Sequence, residues 1–367
     1  MLLLTTTRDA LLAPLQAVAG IVEKRHTLPI LSNVLIEKHG DALTLLATDI
    51  EIQITTHNIV EGGASDASVT LGARKLQDIL RALPEGEISL VLDDKRVTLK
   101  AGRSRYALQT LPATDYPRMQ LNTGDSLNVR LSQRDFRCQL SQVGYAMAAQ
   151  DIRYYLNGLL MQVLGNELRM VATDGHRLAL ASTNLEVEHP KTEVILPRKT
   201  VLELSRQLSD SDEPVDITIT GNQACFRFGT IELITKLIDG KFPDYERVIP
   251  QGNPKLVKVR RQIFLAALQR AAILTNEKFR GLRVVLESGS LKVISSNAEQ
   301  EEAQEEIEID YSHEPLELGF NVTYLLDVLN NVSVDEVEIH LNESMSSALF
   351  TIPGNDQFKA VVMPMRI

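Results

Sequence analysis

Residues 171–182 read VATDGHRLALAS, and three of them, Asp174, His176 and Arg177, lie within four positions of one another. A histidine beside a carboxylate is the pairing of a general base with its orienting partner, and a hydrolase using His176 and Asp174 is the chemistry it would support. A structural reading is favoured over this one. Asp174-Gly175 separates the alternating runs LRMVAT and HRLALAS, and Asp-Gly supplies the positive φ angles of a type I′ hairpin turn. Elsewhere the chain has no Walker loop, no G-x-S-x-G, no H-E-x-x-H and no paired cysteines, and its seven histidines are scattered singly. The acidic run Glu299-Gln300-Glu301-Glu302 lacks the Gly-containing turn of a calcium loop and reads as a solvated or partner-facing strand. No catalytic residue, metal site or cofactor is therefore expected, and a binding or scaffolding role is favoured over an enzyme.

The elements that position these residues are visible as a repeat. LLAPLQAVAGIVEKRHTLPILSNVLIE leads to LTLLATD, FRCQLSQVGYAMAAQDIRYYLNGLLMQV to LRMVATD, and FLAALQRAAILTNEKFRGLRVVLES to LKVISSN. Thr48, Thr173 and Ser296 mark the same place in each, 125 and 123 residues apart, so three periods account for the chain. The first helices share a stripe: Leu11, Leu15, Val18 and Val22 match Phe136, Leu140, Val143 and Met147 at the i, i+4, i+7, i+11 spacing of one buried face. Pro14, inside the first of these helices, is expected to bend or shorten it. A second amphipathic helix, at 73–83, 197–208 and 321–332, is followed each time by alternating strands. One helix layer on antiparallel sheet satisfies these faces, which predicts an α+β fold of three similar domains, each a doubled helix-plus-antiparallel-sheet unit. The turn-rich stretches QLNTGDSLN and PQGNPK place the domains at 1–126, 127–254 and 255–367. The repeat also bears on Asp174. The first copy reads ATDIEIQ and the third SSNAEQE, an Asp or Asn with no histidine beside it, so Asp174 belongs to the scaffold. Gly175-His176-Arg177-Leu178 is peculiar to the middle domain.

A chain of 367 residues, 44% hydrophobic and 23% charged, suits two or three globular domains. The start MLLLTTTRDA lacks the long apolar core of a secretory signal, and no apolar run is long enough to cross a bilayer. Cys138, in a helical pattern, and Cys225, in a strand pattern, form no disulfide framework. A soluble, cytoplasmic protein with no membrane partner is expected. The net charge of −10 argues against simple coating of nucleic acid, but a few placed cations on an otherwise repelling surface would still hold DNA weakly.

The motifs QDIRYYLNG, VATDGHRLA, KLIDGKFPDYERVIP, ILTNEKFRG and VVMPMRI, set in three doubled repeats, give the chain its resemblance to the bacterial DNA sliding clamps, the β subunits of DNA polymerase III, over its full length. The resemblance implies clamp domains that assemble head to tail, as a homodimer, into a six-domain ring. Such a ring encircles double-stranded DNA, slides without sequence preference and tethers replicative and repair polymerases as a processivity factor, with no catalysis of its own. It implies DNA contacts at Lys24, Arg25, Arg74, Gln150, Tyr154 and Tyr155, although the two tyrosines read equally well as strand core. Arg137, Arg198-Lys199 and Arg206 fall, with Lys24-Arg25 and Arg74-Lys75, in or beside the helices such a fold turns inward, where phosphates pass.

The partners implied are the clamp loader, the replicative polymerase α subunit, and other polymerases and repair proteins, each through a short clamp-binding peptide motif. The matching pocket comprises Leu156, Thr173, Gly175, His176, Arg177, Leu178, Pro243, Arg247, Val248, Phe279, Asn321, Tyr324 and Ser347, with the tail Val361, Val362, Met363, Pro364, Met365, Arg366 and Ile367. The tail is apolar at nearly every position, more than one core face of a strand uses, and its two methionines suit a surface that accepts several partners. If domain one of each subunit meets domain three of the other, Lys75, Arg96, Arg103 and Arg105 form a basic edge. Glu299, Glu301, Glu302, Glu305 and Glu306 form the acidic one, around an apolar centre of Tyr106, Leu108, Ile273 and Leu274. The competing reading is a peptide-binding assembly scaffold of the same fold that does not encircle DNA.

Overall fold

The computed structural model describes residues 1–23, 27–63, 66–93 and 95–367. Its α-helices are α1 (Arg8–Ala19), α2 (Ala73–Ala82), α3 (Gln133–Gly144), α4 (Arg198–Gln207), α5 (Arg261–Ala271) and α6 (Val322–Asn330). The apolar spacing is satisfied as helix geometry requires: Leu11, Leu15 and Val18 are buried on α1, and Phe136, Leu140 and Val143 on α3. Val22 and Met147 are buried just beyond the two helix ends. The Thr7 hydroxyl caps α1 by accepting the Ala10 N–H at 3.3 Å, and the Asn321 side chain caps α6 by accepting the Thr323 N–H at 2.9 Å. Of the two effects expected of Pro14, shortening does not occur: α1 runs 12 residues, as α3 does, with Pro14 buried in its apolar stripe. Packing of that stripe offsets the roughly 3 kcal/mol that a helix-interior proline costs. None of the described helices is long and apolar enough to cross a membrane.

The described residues form two compact units, Met1–Arg134 with Arg206–Leu237, and Asp135–Ser205 with Ile238–Ile367. In the first, an eight-stranded antiparallel sheet runs in the order Asp66–Gly72, Asn33–His39, Ala42–Thr48, Ile52–Ile59, Ile231–Lys236, Gln223–Phe228, Pro214–Thr220 and Ser126–Ser132. A four-stranded sheet beside it runs Leu2–Thr7, Glu87–Asp93, Arg96–Ala101, Ser104–Gln109. In the second unit, six strands run Gly158–Thr173, Arg177–Pro197, Asn355–Val362, Ala348–Ile352, Glu336–Leu341, Lys255–Arg260, and four run Glu302–Glu308, Ser290–Ser296, Gly281–Glu287, Leu316–Asn321.

Both large sheets pass from one repeat to the next by the same device. Ile52–Ile59 of the first repeat pairs with Ile231–Lys236 of the second, Ile54 opposite Leu233. Arg177–Pro197 of the second pairs with Asn355–Val362 of the third, Leu178 opposite Val361. Each junction joins the strand after the Asp-type turn of one repeat to the last strand of the next repeat's second half. Two strands of the same kinds are left over, Glu302–Glu308 and Ser104–Gln109, and both are sheet edges among the described residues.

Two turns differ from the sequence expectation. The loop after Thr173 is not a two-residue type I′ turn, because Thr173 pairs with Leu178 and Gly175 alone there has positive φ, at 90°. Side chains close it instead: Asp174 Oδ1 accepts the N–H groups of His176 (2.8 Å) and Arg177 (3.0 Å). The acidic run is not one strand either. Asn297 Oδ1 accepts the Glu299 and Glu301 N–H groups, Gln300 takes φ 64°, and the strand begins only at Glu302.

Candidate functional site

The Thr-Asp turn is built twice with the same bonds. Thr173 Oγ1 donates to the Arg177 carbonyl at 2.6 Å and accepts the Gly175 N–H at 3.1 Å, while Thr48 Oγ1 donates to the Ile52 carbonyl and accepts the Ile50 N–H, both at 2.9 Å. Asp49 Oδ1 accepts the N–H groups of Glu51 and Ile52, as Asp174 does those of His176 and Arg177. The left-handed residue is Ile50 in the first copy and Gly175 in the second. Glycine stands in the middle copy for a spatial reason: a Cβ on Gly175 would lie 3.1 Å from Arg153 Nη2. Arg153 is itself clamped to Asp151 at 2.9 Å, and its hydrogen bonds hold the Asp151 carboxyl down at about 2. That clamp is complete above the ordinary carboxylate range and is lost only as the pH falls toward about 2.

Asp174 and His176 do not form a general-base pair. Asp174 Oδ2 pairs with Arg177 Nε at 3.1 Å, and the His176 ring stacks on Tyr324 with centroids 6.4 Å apart and planes 18° apart. Arg177 is the hub of the loop. Its other nitrogens meet Asp327 on α6 and donate to the Tyr145 carbonyl at 2.7 Å, and the guanidinium lies 4.6 Å from the Tyr324 ring centroid and 5.4 Å from that of Tyr145. Burial drives the Tyr145 hydroxyl well above the usual tyrosine range against the opposing pull of Arg177. Asp327, not singled out by the sequence, therefore ties the middle repeat to the third through Arg177 within one unit, and Tyr145, equally unflagged, packs on the core of the third. Replacing Arg177 by leucine strands two carboxylates, so Arg177→Leu is expected to lower unfolding free energy by about 2 to 3 kcal/mol, read from urea denaturation midpoints. A midpoint equal to wild type would contradict the hub role.

The tail lies against this loop. Val361 and Val362 are buried sheet residues, and Val361 joins Leu160, Val171, Leu178, Phe242 and Tyr245 in one apolar cluster. Beyond them the Met363 N–H donates to the His176 carbonyl at 3.0 Å and the Met365 N–H to that of Gly319 at 2.8 Å. The residues expected to form a pocket thus sort by depth. Leu156, Thr173, Leu178, Val361 and Val362 are buried floor. Arg177, Val248, Asn321, Tyr324, Ser347, Met363, Pro364 and Met365 are half-buried, and Gly175, His176, Pro243, Arg247, Phe279, Arg366 and Ile367 are exposed. The short helical turn Tyr245–Arg247, which carries Arg247 beside Val248, is fixed from behind by residues the sequence did not flag. Tyr245 Oη donates to Gln162 Oε1 at 2.8 Å, Arg169 bonds Glu246 at 3.1 Å, and Gln162 donates to Glu193 at 2.7 Å.

Of the expected DNA contacts, Lys24 and Arg25 lie outside the described residues. Arg74 is exposed on α2 and donates to the Val22 carbonyl at 2.8 Å. Together with Lys75 it lines a cleft of about 550 Å³ that also includes Glu23, Asn33 and residues 107–111. Gln150 is exposed, and Ile152 beside it is 97% exposed, an apolar tip missed in the sequence. Tyr154 and Tyr155 lie in a short helical turn, Tyr154–Asn157, and not in the strand offered as one reading of them: Tyr154 is 56% exposed, whereas Tyr155 packs on the apolar cluster, the rings edge to face at 5.9 Å. Arg137 is exposed, and Arg198 and Arg206 donate to the carbonyls of Met147 and Ala17. Lys199 is half-buried.

The edge residues are placed as follows. Arg105, Tyr106 and Leu108 lie on the edge strand Ser104–Gln109, with Arg103 in the turn before it and Arg96 on the neighbouring strand. Glu302, Glu305 and Glu306 lie on the edge strand Glu302–Glu308, where Glu305 pairs with Arg270 at 2.6 Å. Ile273 is 76% exposed and Leu274 half-buried, both just after α5.

Comparison with known proteins bears on the whole chain. Residues 2–120, 130–244 and 246–366 match the N-terminal, central and C-terminal domain models of the DNA polymerase III beta subunit. The Pseudomonas putida beta sliding clamp is 48% identical over 365 residues, covering 99% of each chain, and the Escherichia coli one 41% identical over 364, again covering 99% of each. A crystal structure of the Pseudomonas aeruginosa sliding clamp bound to griselimycin superposes with TM-score 0.94 at 46% identity, covering 100% of both chains.

Proposed function

The chain belongs to the DNA polymerase III beta subunit family and serves as a DNA polymerase sliding clamp; on that premise we propose that two copies close head to tail into a six-domain ring around duplex DNA. The observation that carries the ring is the repeated sheet junction. The two within-chain junctions use up two strands of each kind and leave one of each, Glu302–Glu308 and Ser104–Gln109, with one free edge among the described residues. A third junction of the same kind is available only between molecules, and its two edges are acidic and basic. The three domains are bounded near 126/127 and 254/255, and the protein works in the cytoplasm as an accessory subunit without catalysis of its own.

DNA is held loosely by phosphate contacts from Lys24, Arg25, Arg74, Gln150 and Tyr154, and topology rather than base reading keeps the ring in place. Tyr155 supports Tyr154 from the core. Changing Arg25 or Arg74 to alanine is expected to lower the salt slope of DNA binding by about 0.9 for each phosphate no longer neutralised, with no change in base preference. A variant that discriminates between sequences differently from wild type would contradict this. The clamp loader, the replicative polymerase α subunit and repair proteins dock a short peptide motif in the pocket bordered by Gly175, His176, Tyr324 and the tail. Retention on nicked circular DNA that disappears on linearisation is the expected behaviour of the ring. Equal retention on both would instead support an assembly scaffold that does not encircle DNA.

A further inference from the structure

The strand Leu316–Asn321 is a sheet edge, pairing among the described strands only with Gly281–Glu287. The tail adds to its free side through the Met365 N–H on the Gly319 carbonyl. Pro364, one residue earlier, has no N–H to donate, which a position outside the paired strands at a sheet edge tolerates. Gly319 has no left-handed backbone, so the strand itself would accept any side chain at this position. Glycine in a strand interior ordinarily costs stability, and it is found where another backbone comes close. That is the case here: a Cβ on Gly319 would overlap the Met365 carbonyl oxygen and lie 2.9 Å from Ile367 Cγ1 and Cδ1. Gly281 supplies the contrast. A Cβ there would meet the same Ile367 atoms at 3.5 Å and Met365 Cε at 3.6 Å, which are ordinary contacts.

We infer that Gly319 is a positioning residue for partner recognition: it leaves the space in which the tail lies along the sheet edge, and that seat fixes Met365 there and holds the segment that runs from Met363, bonded to the His176 carbonyl, at the proposed pocket. The partner it serves is a short peptide with apolar anchors, as adaptable methionines suit. The inference rests on the pocket reading given above. Its consequence is that the tail's sequence alone does not suffice, because an alanine at Gly319 displaces an unaltered VVMPMRI.

The test uses the full-length protein with two readouts, hydrogen–deuterium exchange at the Met365 amide and fluorescence anisotropy of a labelled peptide carrying the clamp-binding motif of the polymerase α subunit. Gly319→Ala is expected to abolish protection of the Met365 amide and to weaken the peptide about tenfold or more, ~1.4 kcal/mol, while Gly281→Ala keeps both near wild type. Met365→Pro removes the donor together with the side chain, so it is read against Met365→Ala, which removes the side chain alone. A further loss of affinity beyond that of Met365→Ala is expected even if Gly319→Ala fails to fold, and a loss no greater than that of Met365→Ala would overturn the part of the seat in recognition. Protection and affinity both retained in Gly319→Ala would overturn the seat. Abolished protection with retained affinity, or a Met365→Pro variant that binds as wild type does, would overturn its part in recognition. A wild-type protein that ignores the peptide would overturn the pocket reading itself, leaving the seat to be judged by the Met365 amide.

Discussion

Deleting Met363–Ile367 is expected to abolish binding of partner peptides and polymerase while leaving the protein dimeric. The segment brings two half-buried methionines, Pro364 and the exposed Ile367 to the border of the proposed pocket. A few such anchors usually carry an interface at about 2 kcal/mol or more each, so the loss of several exceeds what a short peptide can spare. The fold should survive. Val361 and Val362 stay behind, paired with Leu178 and Arg177, and the deletion costs the sheet only the Met363 and Met365 hydrogen bonds. Anisotropy with a partner-derived peptide, beside native mass spectrometry of the truncated protein, makes the comparison. Undiminished affinity in an intact truncated dimer would place the pocket elsewhere.

Replacing Ile273 and Leu274 together by alanine is expected to give monomers. Ile273 is 76% exposed in the single chain, an unusual placement for a large apolar residue next to the end of α5. A ring of two copies has two identical interfaces, so the double substitution removes four anchors, on the order of 6 kcal/mol or more of burial. The charges at the edges matter in another way. Exposed ion pairs add typically below about 1 kcal/mol each, so Arg103, Arg105, Glu301 and Glu302 would set register and salt sensitivity rather than hold the ring. Glu305 already pairs with Arg270 within the chain, and it contributes correspondingly less to a partner. Analytical ultracentrifugation at micromolar concentration reads the outcome, and a persisting dimer would misplace the interface.

The sequence by itself determined the local and periodic features. Helix stripes such as Leu11, Leu15 and Val18 follow from a 3.6-residue repeat, and the threefold recurrence of a Thr-Asp or Ser-Asn turn identifies Asp174 as scaffold without any geometry. Its motifs identify the family, because long particular strings survive as text. What the tertiary structure decided are partnerships between residues distant in the chain, which no periodicity encodes. Arg177 is engaged by Asp327 and Tyr145, 150 and 32 residues away, so a residue that reads as a free cation at a pocket rim is a largely buried hub. Tyr154 and Tyr155, equivalent in sequence, are separated by which ring the Leu160 and Phe242 cluster has room for. The turn type after Thr173 depends on side-chain acceptors, which override the backbone preference of an Asp-Gly pair. Gly319 is silent in the sequence because its reason for being glycine is a backbone 46 residues further on, brought within hydrogen-bonding distance only by the fold.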